Sequence, residues 1–128
     1  MPHLTVHALE SDLAGHEAAL ITGLTDAVGS VYGEWARPIA VVRLIGLPAE
    51  RWGIGGVAAP TAAPSVTFGI REAAFDRPDA GRIVARLVAA VTDAIVAVLG
   101  ERVRAALTVE LVGTPAGRTG VGGAVADS

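Results

Sequence analysis

The sequence predicts an α/β protein of two tandem βαβ units, which form a four-stranded mixed sheet with two helices on one face. Three observations predict this class. The chain repeats itself once, each half alternates strand-like and helix-like periodicity, and 52% of the 128 residues are hydrophobic. This length and apolar content are typical of a single domain with a substantial core, and they exclude a disordered chain.

The internal repeat is clearest in the later part of each half. Residues 43–56 read RLIGLPAERWGIGG and residues 110–123 read ELVGTPAGRTGVGG, with eight of 14 positions identical at an offset of 67. The same offset aligns residues 23–34 with residues 90–101, where six of 12 positions are identical. Matches that recur in the same order indicate duplication and fusion.

The beginning of each half matches at a smaller offset. Residues 2–10 (PHLTVHALE) align with residues 64–72 (PSVTFGIRE) at an offset of 62, so the second half holds about five extra residues further along. We therefore expect one pseudo-two-fold domain, with the first unit over 1–60 and the second over 61–128. A Pro/Ala-rich linker joins the two units.

The first element of each half is a strand with one buried face. Leu4, Val6 and Ala8 alternate with more polar residues, and a period of two is typical of such a strand. The second half repeats the alternation with Val66, Phe68 and Ile70.

A helix follows the strand in each half. Apolar residues recur three or four positions apart from Leu13 onward in the first half, and the second half carries Val84, Val88, Val91, Ile95 and Val98. Asp12 and Asp79 are candidate N-terminal caps, and Gly33 and Gly100 stand where left-handed C-terminal caps are expected.

Each half closes with an apolar strand and a glycine-rich tail. The runs at 39–46 (IAVVRLIG) and 106–113 (ALTVELVG) are nearly continuous, which predicts central strands covered on both faces. A strand–helix–strand crossover of this kind is right-handed. With both helices on one face, the other face of the sheet keeps apolar residues uncovered, so we expect oligomerisation.

Composition narrows the chemistry. The formal charge of −3 argues against nucleic acid or an anionic membrane as partner, and the absence of cysteine excludes thiolate chemistry. All ten basic residues are arginine, which excludes Schiff-base lysine chemistry and suits carboxylate recognition. The three histidines form no metal-ligand motif, so no metal is expected. With no signal peptide or membrane span in the sequence, we expect a cytoplasmic protein.

Pro2 is the candidate catalytic residue. Removal of the initiator methionine is efficient before proline, and it would leave a secondary amine that no internal residue offers. A nearby arginine cation disfavours the charged ammonium form, so this amine would act as a general base near neutral pH. Pro64 occupies the matching position of the second half, but its nitrogen lies in a peptide bond. We therefore expect one competent site per chain.

The pattern resembles the tautomerase superfamily, specifically 4-oxalocrotonate tautomerase and its fused two-unit relatives. The motifs that carry the resemblance are Pro2 opening PHLTVHALE, Arg43 in the second strand, and PAERWGIGG at 48–56. Because the second half repeats them, the resemblance covers the whole chain. It implies the tautomerase fold, a homotrimer, a small carboxylate substrate and no cofactor.

The resemblance also implies roles for individual residues. Pro2 would be the general base, Arg71 would bind the substrate carboxylate, and Arg43 would stabilise charge on the carbonyl oxygen. Trp52 matches the aromatic residue that lines the pocket, and Thr119 is its counterpart in the second half. If that aromatic residue serves the proline of the partner unit, Thr119 would line the Pro2 site and Trp52 would pack elsewhere.

The implied activity is enol–keto tautomerisation of a small 2-hydroxy- or 2-oxo-carboxylate. Two alternatives stay open at this point. One is decarboxylation of a 3-oxo acid, which a prolyl amine and arginines also support. The other is an inactive trimeric binding or scaffold protein, which retention of Met1 would favour because it converts the amine to an amide.

Overall fold

A computed structural model describes residues 2–126. The first half runs β1 (His3–Leu9), α1 (Glu10–Leu13), α2 (Glu17–Tyr32), β2 (Val41–Leu47) and a hairpin of β3 (Gly53–Ile54) and β4 (Val57–Ala58). The second half runs β5 (Ser65–Arg71), α3 (Ala80–Leu99), β6 (Thr108–Thr114) and a hairpin of β7 (Gly120–Val121) and β8 (Ala124–Val125). Short 3₁₀ turns lie at Glu34–Ile39, Ala49–Arg51, Glu72–Asp76 and Glu101–Ala106.

The main sheet has four strands in the order β2-β1-β5-β6. β1 pairs in parallel with β2, β5 pairs in parallel with β6, and β1 and β5 pair antiparallel at the centre. The predicted four-stranded mixed sheet is thereby confirmed. Since β1 and β5 run in opposite directions, the amino end of each lies beside the carboxyl end of the other.

The prediction that the apolar runs of β2 and β6 form central strands is wrong, because both strands lie at the edges of the sheet. Their apolar residues divide between two environments. Val42 and Leu44 pack against the core, whereas Ile45 and Val112 point to the opposite face and are exposed. Continuous apolarity in these strands therefore reflects a sheet face that this chain leaves uncovered.

Helices α2 and α3 pack against each other on one face of the sheet. Their fully buried side chains include Leu20 and Leu24 from α2 and Val91 and Ile95 from α3, which surround Phe68 of β5. Each such side chain contributes about 1.5–3 kcal/mol by leaving water. This core fixes the two central strands and hence the ends where the candidate site lies.

The opposite face of the sheet is more polar than the sequence predicts. One row across the four strands is formed by Arg43, Thr5, Thr67 and Glu110, from β2 to β6. The exposed Ile45 and Val112 flank this row. Among residues 2–126, no helix is long and apolar enough to cross a membrane.

The first helix is broken where the sequence predicts one continuous helix. Gly15 adopts a positive φ of 84°, which separates α1 from α2. Asp12 lies inside α1 rather than capping it, and Asp79 takes the N-cap position of α3 without a side-chain cap hydrogen bond. Gly33 ends α2 with φ 110° and ψ 169°, a conformation nearly confined to glycine but distinct from the left-handed cap predicted.

Candidate active site

The start of β1 brings Pro2 beside the end of β5. His3 pairs with Gly69, so the chain positions just before His3 lie alongside Ile70 and Arg71. Pro2 is buried, and its carbonyl accepts a hydrogen bond of 3.0 Å from the Val41 amide of β2. Residues from the two halves therefore meet at one end of the central strands β1 and β5.

A cavity of about 400 Å³ opens at this end of the central strands. Its lining residues come from β1, the C-terminal end of α2, the turn that follows it, and the end of β5 with the segment beyond. They are Pro2, Tyr32, Trp35, Ile39, Ile70, Arg71, Ala73, Ala74 and Arg77. The cavity thus contains two of the predicted site residues, Pro2 and Arg71.

Two arginines form a cationic wall of this cavity. Arg77 is held by Asp79 through Nε–Oδ1 and Nη2–Oδ2 contacts of 3.1 and 3.3 Å. Arg71 is exposed, and within residues 2–126 its guanidinium makes no hydrogen bond or ion pair. Arg71 is therefore the guanidinium at this wall that is available to a carboxylate.

Tyr32 and Trp35 form an aromatic wall of the same cavity. The rings of Tyr32 and Trp35 lie 6.0 Å apart between centroids at an interplanar angle of 55°. The Trp35 indole Nε1 donates a hydrogen bond of 2.8 Å to the Tyr32 carbonyl, and a Cβ atom at Gly33 would come within 3.3 Å of the indole Cδ1. Trp35 is nevertheless 62% exposed. The indole is therefore held in place while most of its surface stays available.

Tyr32 has a perturbed hydroxyl. Burial raises the pKa of this phenol above its ordinary value, and the nearby Arg77 guanidinium opposes part of that rise. The hydroxyl is consequently protonated throughout the neutral pH range and can donate a hydrogen bond.

The other predicted site residues lie outside this cavity in the same chain. Arg43 is exposed on the uncovered sheet face, opposite Thr5. Trp52 lines a second cavity of about 310 Å³ at the other end of β1, together with His7, Leu47, Arg51, Gly53 and Ser65. Thr119 precedes strand β7 and is exposed.

The position matching the Pro2 site in the second half is filled. Pro64 is fully buried and lines neither cavity described above. The offset of 67 aligns Trp35 with Arg102, and the offset of 62 aligns Ala74 with Asp12. Arg102 Nη2 and Asp12 Oδ1 form an ion pair of 2.6 Å in which the Asp12 side chain is only 11% exposed. An ion pair thus stands where the first site has an exposed indole and a small alanine.

Sequence reasoning missed Tyr32 and Trp35. A comparison of the two halves could have identified both residues, because the repeat differs at these positions. The second half has Leu99 and Arg102 where the first has the two aromatic residues. The aromatic pair therefore occurs only in the half whose proline follows the initiator methionine. Among residues 2–126, no group of three or more histidine, aspartate or glutamate side chains is placed to hold a metal.

Solved structures with the same fold cover nearly the whole chain. The F6 fused 4-OT, a wild-type asymmetric trimer, is 28% identical with a TM-score of 0.80, over 96% of this chain and 94% of that one. Native fused 4-OT is 26% identical with the same TM-score and coverage. N1, of the cis-3-chloroacrylic acid dehalogenase family, shares the fold at 18% identity, with a TM-score of 0.76 over 96% of this chain and 82% of that one. No family model and no curated protein matches the chain.

Proposed function

Because the chain is a fused, two-unit protein of the tautomerase superfamily, we propose that it catalyses enol–keto tautomerisation of a small 2-hydroxy- or 2-oxo-carboxylate. The observation that carries this proposal is the shared cavity of Pro2 and Arg71. A candidate base and a guanidinium that has no partner within residues 2–126, contributed by opposite halves of the chain, line the same cavity.

Pro2 acts as the general base once Met1 has been removed. Arg71, whose guanidinium makes no hydrogen bond or ion pair within residues 2–126, lines the same cavity as Pro2. Positive charge there disfavours the prolyl ammonium, which lowers the pKa of the amine and keeps it neutral near pH 7.

The proposed reaction moves one proton and consumes no co-reactant. Arg71 binds the substrate carboxylate, which fixes the enol beside Pro2. The Pro2 nitrogen takes the enol hydroxyl proton and becomes an ammonium, and the enolate carries the negative charge. The ammonium then returns the proton to carbon 3, which leaves the 2-oxo acid and a neutral amine. The Tyr32 hydroxyl donates a hydrogen bond to the oxygen on which charge develops.

We propose that the active form is a homotrimer. The support is the uncovered sheet face with exposed Ile45 and Val112, together with the trimeric state of the F6 fused 4-OT. In such a trimer, any contribution of Arg43, Trp52 or Thr119 to a Pro2 site would come from a neighbouring chain. Light scattering that gives the mass of a single chain at micromolar concentration would refute the trimer.

The function is tested with untagged protein whose N-terminus has been established by mass spectrometry. Enol forms of 2-oxo acids are followed by the loss of their ultraviolet absorbance. Pro2→Ala should lower kcat/KM by roughly 10²–10⁴-fold, the usual contribution of a positioned base.

The matched control is Pro64→Ala at the aligned position of the second half, which should leave the rate nearly unchanged. Equal activity of the native and Pro2→Ala chains would refute the proposed base. Decarboxylation of 3-oxo acids without tautomerisation would refute the proposed reaction.

A further inference from the structure

We infer that the Pro2 cavity selects substrates with one carboxylate and one aromatic or similarly flat apolar group, and that it disfavours dicarboxylates. This inference rests on the proposed function, because it assigns the substrate class of the same site. It follows from two chemically different groups of lining residues: Arg71 and Arg77, which form the cationic wall, and Tyr32 and Trp35, which form the aromatic wall.

Within one chain, the cationic wall offers binding capacity for one carboxylate. Asp79 occupies the Nε and Nη2 positions of Arg77, so that pair contributes no net charge. Of the two arginines, Arg71 is the one whose guanidinium makes no hydrogen bond or ion pair within residues 2–126. A second carboxylate would have to displace Asp79 from Arg77 or lie against the aromatic wall without a cationic partner. An unpaired carboxylate in that position loses its hydration and gains no hydrogen bond or ion pair in return.

The aromatic wall suits a flat apolar group. An exposed tryptophan normally loses conformational entropy when a ligand immobilises it, but the Trp35 indole is already oriented by its hydrogen bond to the Tyr32 carbonyl. Aromatic stacking on such a preorganised ring strengthens binding by roughly threefold to tenfold beyond the buried area. Ile39 extends the same apolar surface.

The comparison between halves supports a role in ligand selection rather than in folding. At the aligned positions the second half has Leu99, which is buried, and Arg102, which pairs with Asp12. Both halves thus form the same helix ending with and without the aromatic pair. The pair is present only where the cavity is open, so the helix ending itself does not require it.

The first test measures selectivity in turnover. The native chain should process the enol of phenylpyruvate with a higher kcat/KM than the enol of 2-oxobutanoate or a 2-hydroxydienedioate. Trp35→Ala should lower kcat/KM about tenfold for the aryl substrate and by a much smaller factor for the 2-oxobutanoate enol, whereas Trp35→Phe should retain most of the aryl preference. Equal losses on both monocarboxylates would overturn the inference.

Asp79→Asn supplies a gain-of-function arm. This change releases Arg77, and Asp79 makes no side-chain cap hydrogen bond to α3, so the helix start keeps its interactions. We expect kcat/KM for the dienedioate to rise severalfold while the aryl monocarboxylate changes little. No gain with the dicarboxylate would overturn the charge argument.

A binding arm separates this inference from the proposed reaction. The chain has two tryptophans, so Trp52→Phe leaves Trp35 as the only indole fluorophore. Titration with 3-phenylpropanoate should quench its emission at lower concentration than hexanedioate, whether or not the protein turns over any enol. Tighter or equal binding of hexanedioate overturns the inference. A lower molar mass of Trp35→Ala by light scattering also overturns it, because Trp35 would then be an interchain contact.

Discussion

Removing the unpaired guanidinium at the candidate site tests the arrangement most informatively. Arg71→Ala deletes a side chain that makes no hydrogen bond or ion pair within residues 2–126, so the thermal midpoint should change little. A charge-assisted hydrogen bond to a carboxylate contributes about 1.5–3 kcal/mol. Because Arg71 is exposed and solvent screens its charge, the lower part of that range applies. It corresponds to a loss of kcat/KM of roughly 10–30-fold, mostly as a higher KM.

The same variant has a second signature in the pH–rate profile. Loss of a cation beside Pro2 removes part of the penalty on the prolyl ammonium, so the pKa of the amine rises. The acid limb of kcat/KM should therefore move to higher pH. Arg82→Ala is the matched control, since Arg82 is an exposed arginine of α3 outside the cavity. An Arg71→Ala protein with unchanged KM and an unchanged acid limb would place Arg71 outside the site.

Three further predictions concern stability. Arg102→Ala leaves the nearly buried Asp12 carboxylate without its partner and should cost about 1–3 kcal/mol of unfolding free energy in urea melts; an unchanged melt would contradict the packed ion pair. Gly33→Ala should cost about 1–3 kcal/mol, because alanine is strained at φ 110° and ψ 169°, and Gly81→Ala in α3 is the helical control, expected to be neutral or stabilising. The hydrogen bond from Arg37 holds the pKa of the Glu34 carboxyl below its ordinary value, so its contribution is present above the ordinary glutamate pKa and lost as pH falls through the lowered one. The difference in thermal midpoint between the native chain and Glu34→Gln should accordingly vanish at low pH, and a difference that persists there would contradict the ion pair.

Much of the fold could be predicted from the sequence because each element occurs twice, so that the pattern in one half could be checked against the pattern in the other. The alternation in β1 and β5 specified their buried faces, and Gly33 and Gly100 specified the helix ends. The error on β2 and β6 has a physical cause: a strand covered by helices and a strand facing an absent neighbour are both continuously apolar. Periodicity within one chain does not distinguish the two cases.

The site was predicted less completely for a different reason. Pro2 has a chemical property that its position alone confers. Arg71 was predicted from the family resemblance, and the antiparallel pairing of β1 with β5 brings it beside Pro2. Tyr32 and Trp35 lie at a helix end, where aromatic residues are ordinarily attributed to packing. Their connection with the site becomes clear only by comparison with the second half, where Arg102 stands at the position of Trp35 and pairs with Asp12. No local sequence pattern shows that Arg102 and Asp12 lie close together.

The central claim is that Pro2 provides a neutral amine as the general base at one site per chain. The most direct measurement is a nitrogen-15 NMR titration of the Pro2 nitrogen in labelled, untagged protein whose Met1 has been removed. The account predicts a midpoint below the range of about 7.7–8.0 that is usual for α-amino groups, coincident with the acid limb of kcat/KM. A midpoint within or above that range, or full activity in a chain whose Pro2 nitrogen is still acylated, would contradict it.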